Sequence, residues 1–348
     1  MSTRRGKMAN LSRALDSHVR SIEEMFQMLE KSVASSLEKV EWSQVINLSE
    51  EVSKQATITG MLFNGETPEI KQLEENMEAY FNVLHGFILL CHGSTVGAGP
   101  TLHASICGSA RQVIDCSLAL LKEAASSCES PNSSKQSSIP RLSGSVWEAC
   151  ANLKKAPTAN CTAIGRAITS VAVSVKDVVR EMHELKPATT STDSAVASPD
   201  EDDSGDELGN DLSPEEMVIA QLAAEAVSDL LTVLKEVIRF VSGLLRTSNA
   251  EGKDDVDALE RMLICCQEIG TQGNELGASV YPPQEISSMK SSAKKICSAI
   301  DEMMKAIGIT GGLSQSLLAS FEGLKISLKK METGLGASMP CEVQKLAI

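Results

Sequence analysis

Two spacings in this chain invite a chemical reading. His103 and Cys107 stand four residues apart, on one face of any helix that carries them, as neighbouring metal ligands must. His85, Cys91 and His92 lie shortly before and could approach them. No HExxH and no CxxC accompanies the group, so packing in a core or at a surface is the stronger reading and no metal is expected. Cys265 and Cys266 are adjacent, so a helix points them in different directions, and no nearby His marks an activated thiol. Gly97-Ala98-Gly99-Pro100 reads as a flexible turn. A nucleophile elbow, a Walker loop and a dinucleotide fingerprint are absent from the sequence. No catalytic, cofactor-binding or metal-ligating residue is expected, and the chain reads as a non-enzyme.

The remaining chemistry is modification. Ser198-Pro199 and Ser213-Pro214 meet the minimum for proline-directed kinases, and Ser204 and Ser213 carry an acid three residues on, which suits acidophilic kinases. Ser213 also has a structural role. In Ser213-Pro214-Glu215-Glu216 it can cap a helix, Pro214 suits the first helical position, and Glu216 can close a capping box. Phosphate at Ser213 would add charge beside the free amides of that helix start.

These serines flank the element around which the chain is organised. Residues 187–212, PATTSTDSAVASPDEDDSGDELGNDL, hold acids, Ser, Thr, Pro and Gly with few bulky apolar residues and no base. Such a stretch buries too little apolar surface to offset the entropy of ordering, so it is expected to be a disordered linker. Residues 213–246 follow as the strongest helix. Four apolar rows run along it: Ala220, Val227, Leu234 and Val241; Ala223, Leu230, Val237 and Leu244; Leu231, Ile238 and Leu245; Ile219, Ala226, Val233 and Phe240. Only a thin polar strip remains, with Glu225, Asp229, Arg239 and Arg246. A two-stranded coil needs two rows, so this helix must sit inside a multi-helix bundle. Leu234 marks its centre.

Elsewhere apolar spacing predicts helices over about 8–40, 43–63 and 67–91, then one carrying Leu102 to Leu121. A mobile loop is expected at 126–145, followed by a short helix at 146–153 and a longer one at about 158–185. After the central helix, further helices are expected from near Asp254 through Leu276, over 284–307 and over 313–333, with a forced break at Tyr281-Pro282-Pro283. No strand pattern competes. Short connections between amphipathic helices imply up-and-down neighbours. The fold class is therefore all-α, with two bundles at 1–186 and 213–348 joined by the acidic linker 187–212.

The chain has 348 residues and a net charge of −14. Ten acids and no base between Asp193 and Glu216 supply most of that excess. No basic patch or aromatic-studded groove suits direct nucleic-acid binding. The linker could alternatively dock a basic surface through salt-dependent attraction. The ten cysteines scatter along helical segments like buried hydrophobes and suit a reducing compartment. The start, MSTRRGKMANLSR, lacks a secretory apolar run, and residues 79–91 are too short to span a bilayer, so no membrane is expected. Arg4-Arg5-Gly6-Lys7 is either a solvated tail or a nuclear address.

Four stretches carry a resemblance: LSEEVSKQATITGMLFN (48–64), SGSVWEACANL (143–153), SVKDVVREMHEL (174–185) and LGASVYPPQE (276–285), with the acidic break between them. In this order they resemble the cyclin-D-binding protein family, also called GCIP, described as helix-loop-helix-like without a basic DNA-binding region. Trp147 and the Tyr281-Pro282-Pro283 corner are the most diagnostic. The resemblance implies bundles similar to vinculin and α-catenin, and a protein that binds D-type cyclins and helix-loop-helix factors and restrains cell-cycle entry and transcription, in cytoplasm and nucleus. It offers no catalytic residue to carry over. The alternative is a vinculin-like cytoskeletal or junction adaptor.

Overall fold

The computed structural model describes residues 2–31, 38–63, 68–129, 138–186, 212–247, 253–310, 312 and 314–337. Among these the chain forms ten helices and no strand: α1 (Ser2–Leu29), α2 (Trp42–Leu62), α3 (Ile70–Ser94), α4 (Pro100–Glu129), α5 (Ser138–Leu153), α6 (Asn160–His183), α7 (Pro214–Thr247), α8 (Lys253–Ser279), α9 (Ile286–Thr310) and α10 (Gln315–Ala337). The all-α expectation is met.

Two compact units divide after Ala163. In the first, α2, α3, α4 and α5 close a four-membered ring in which each packs on the next, and α1 lies against α3 and α4. Phe81, Leu84, Phe87, Val113, Ile114 and Leu121 are among its fully buried side chains. Two polar contacts cross this core. Thr59 donates to Asn76 Oδ1 at 2.8 Å, and Tyr80 donates to Ser117 Oγ at 3.1 Å, each satisfying groups that would be costly to bury alone. In the second unit α7, α8, α9 and α10 close a ring of the same connectivity.

The central helix is enclosed along most of its apolar rows, with Ile238, Phe240 and Leu244 half-buried. Ile219, Ala223, Val227, Leu230, Val233, Leu234, Val237 and Val241 are all buried, while Glu225 and Arg239 are exposed. Pro214–Leu244 is long and apolar enough to cross a membrane by length and composition; here it packs against α8 and α10.

Two expectations need correction; beside them, the compact units divide within α6, upstream of the linker expected at 187–212. The first residues of α6 stay with the first unit, where Asn160 Nδ2 donates to the Gly97 carbonyl (3.0 Å), Asn160 Oδ1 accepts from the Gly99 amide (2.7 Å), and Ala163 clusters with Leu102 and Ile106. From Ile164 onward α6 counts with the second unit, because Val171, Val175 and Val178 lie against Gly270, Gly273 and Gly277 of α8. The first helix ends at Leu29, not near residue 40. Val40 is non-helical, donates its amide to the Gly93 carbonyl at 3.1 Å, and rests its side chain where Gly93 lacks a Cβ. Its place in the apolar spacing reflects docking onto the end of α3. Of the loop expected at 126–145, residues 126–129 end α4 and 138–145 begin α5, while 130–137 lie outside the described residues. Pro140 falls in the first turn of α5, where the missing amide costs nothing. The acidic linker lies outside the described residues except Leu212, which is fully buried directly before the α7 cap. An apolar residue in that position packs back on the first turn.

Candidate interaction surfaces

His103 and Cys107 do sit on one face of α4, and what they meet is backbone. His103 Nε2 lies 3.1 Å from the Leu29 carbonyl, which makes it the protonated nitrogen. Cys107 Sγ lies 3.7 Å from the same oxygen and 3.7 Å from His103 Nδ1. Together they cap the end of α1, whose last carbonyls have no intrahelical partner. Burial pushes the Cys107 thiol up to about 11, so it stays protonated at neutral pH. His85 points elsewhere, with Nε2 3.1 Å from Ser21 Oγ, and Cys91 is fully buried, which also raises its pKa. Among the described residues no three His, Cys, Asp or Glu side chains converge as a metal site. Cys265 and Cys266 are buried free thiols with pKa values raised by desolvation.

The seam around α1 is the richest polar cluster of the first unit. Arg111 on α4 donates to Glu23 Oε2 at 2.9 Å, lies 3.5 Å from Glu30 and 4.0 Å from Asp115, and stands 3.6 Å over the centre of the Phe26 ring. His18 stacks on Phe81 of α3, with ring centroids 4.6 Å apart and planes at 12°. His85 has its pKa lowered, first by burial and then by the facing His18. Sequence patterns did not single out Arg111. Its four-residue spacing to Asp115 is visible there, but its long-range partners are not.

Trp147 lies half-exposed on α5, at 46%, and donates its indole N–H to Thr57 Oγ1 of α2 at 3.1 Å. Beside it an open groove of ≈ 380 Å³ is lined by Thr57, Gly60, Met61, Phe63 and Pro140, with Ser143 at its floor. A Cβ on Gly60 would come 2.9 Å from Ser143 Oγ, so the glycine is what lets α5 approach so closely. Met61 is 68% exposed and Ile58 44%.

In the second unit the α7 start has the expected reciprocal cap. The Glu216 amide donates to Ser213 Oγ at 3.2 Å, and the Ser213 amide donates to Glu216 Oε2 at 2.9 Å. Ser213 is exposed. Ser198 and Ser204 lie outside the described residues. Tyr281, Pro282 and Pro283 form the corner between α8 and α9. Gln284, next in the chain, donates Nε2 to the Glu216 carbonyl at 2.9 Å and the Val280 carbonyl at 3.0 Å, which ties this corner to the first turn of α7. Leu234 is fully buried at mid-helix. The α6–α8 seam was missed from sequence. Gly270, Gly273 and Gly277 recur on one face of α8, and Cβ atoms on Gly270 and Gly277 would collide with Val171 and Val178.

Comparison with known proteins follows this architecture. A model described as Grap2 and cyclin-D-interacting, N-terminal, matches residues 44–188; one described as Grap2 and cyclin-D-interacting, C-terminal, matches residues 197–305. The first starts early in α2, leaves out α1 and runs through α6. The second takes in α7, α8 and most of α9. A curated protein of Xenopus laevis, Cyclin-D1-binding protein 1 homolog, is 26% identical over 162 residues, covering 46% of this chain. The match spans only about half, 48%, of that relative's length. Both halves of one family are matched in order along most of the chain, and the protein belongs to the Grap2 and cyclin-D-interacting, or GCIP, family.

Proposed function

We propose that this chain is a non-enzymatic interaction protein that binds a D-type cyclin and helix-loop-helix transcription factors, and so restrains cell-cycle progression and transcription from the cytoplasm and nucleus. The observation that carries the proposal is the ordered family match over both halves, joined to a relative whose name gives cyclin D1 as its ligand. The physical setting agrees with it. Each unit is a closed ring of helices with an apolar core, and what it offers outward is helix faces and grooves, the surfaces that take partner helices. The described thiols with resolved shifts are pushed toward the neutral form by burial.

Calorimetric titration of the purified full chain tests this reading. A D-type cyclin is expected to give saturable binding at micromolar concentration or below, and a helix-loop-helix domain the same. Actin filaments in co-sedimentation are expected to leave the chain in the supernatant. Silence with the cyclin and the helix-loop-helix domain, together with co-sedimentation on actin, would transfer the chain to the adaptor class.

A further inference from the structure

We propose that the α3–α4 seam of the first unit is a docking site for an acidic amphipathic helix of a partner protein, and that α1 is its exchangeable occupant in cis. The pattern of α1 carries the argument. It is the least apolar of the ten helices in composition, and it buries one narrow row: Met8, Leu11, Leu15, Ile22, Phe26 and Leu29. That row has the three- and four-residue spacing of a helix laid in a groove. It packs on α3 and α4 without closing the α2–α5 ring. The family match starts at residue 44 and takes in the ring without it.

The seam reads its occupant by charge as well as shape. Arg111 supplies one cation, and α1 meets it with two carboxylates one heptad apart, Glu23 and Glu30, while Phe26 lies beneath the guanidinium. His85 meets Ser21, and His103 meets the helix-terminal carbonyl of Leu29. These hooks are partly open to water, the guanidinium side chain being 31% exposed, so each is replaceable by an equivalent group on another helix. The fitting ligand is a helix with apolar residues at the α1 spacing, two carboxylates seven apart beside an aromatic, and a free C-terminal carbonyl. This surface goes beyond the cyclin reading, and its failure would leave that reading untouched.

The test uses the full chain and a fluorescent peptide of residues 6–31, read by anisotropy. Glu23→Arg with Glu30→Arg in the chain weakens α1 in cis, and this variant is expected to bind the native peptide at least tenfold more tightly than the unaltered chain does. A chain with Arg111→Glu is expected to bind a peptide carrying Glu23→Arg and Glu30→Arg and to reject the native one. If the double variant loses helix content by circular dichroism, the Arg111→Glu chain and the reversed peptide decide alone. Equal binding of both peptides by all chains, or no binding by chains that keep their helicity, would overturn the proposal. A peptide-free double variant that forms a concentration-dependent dimer would assign the seam to a second copy and overturn the separate partner.

Discussion

At the scale of single residues, most of the polar side chains that looked chemical are spent on holding helices. His103 and Cys107 meet the Leu29 carbonyl at the end of α1, and Ser213 satisfies the start of α7. Ser213→Ala should therefore cost about 1 kcal/mol in urea unfolding, while Ser213→Asp, an equivalent cap, should remain within a few tenths of the original. Identical losses for both would remove the cap from the account. Arg111→Met should lower stability by about 1–2 kcal/mol, because it loses a cation over an aromatic ring and a partly exposed ion-pair cluster at once. His85 gives a pH dependence. Its folded pKa is lowered, so the native state holds it neutral while the unfolded chain protonates near the ordinary value of about 6.5. The unfolded state binds the extra proton, so this contribution is whole above pH ~6.5 and declines as pH falls through that value toward the lowered one. His85→Gln should flatten melting temperature against pH across that window.

At the scale of elements, the legible parts were those fixed by local sequence. The α7 cap and its four apolar rows are written within one stretch, and the structure encloses that helix accordingly. Leu234→Asp should cost about 3 kcal/mol or more and unfold the α7–α10 ring, seen as lost ellipticity, because a carboxylate there has neither water nor a partner. The illegible parts depend on distant chain. Val40 fits the period of α1 yet docks on Gly93, and no local pattern separates those outcomes. Pro140 and its serine-rich surroundings resemble a loop, but a first helical turn tolerates proline. The contact division within α6 is not legible locally, because the apolar face of α6 does not say which bundle it meets. The three glycines on α8, Gly270, Gly273 and Gly277, carry that information, since each lies against a valine of α6. Gly270→Val should push against Val171 and lower the stability of the second unit by about 1–3 kcal/mol, measured by thermal or urea unfolding.

At the scale of the whole molecule, each unit follows one plan: a ring of four helices, preceded by a helix laid on its outside. In the first, α1 lies on α3 and α4; in the second, α6 lies on α8 through the glycine seam. The added helices use narrower faces: α1 buries the single row Met8 to Leu29, and α6 sets Val171, Val175 and Val178 against the α8 glycines. Both halves match a family described as cyclin-D-interacting. Hydrogen exchange by mass spectrometry, on the full chain alone and with a saturating D-type cyclin, tests this most directly. The account predicts slow exchange along the middle of α7 in both samples and new protection of helices within residues 44–305 when the cyclin is present. Fast exchange through α7, or superimposable maps with and without the cyclin, would contradict it.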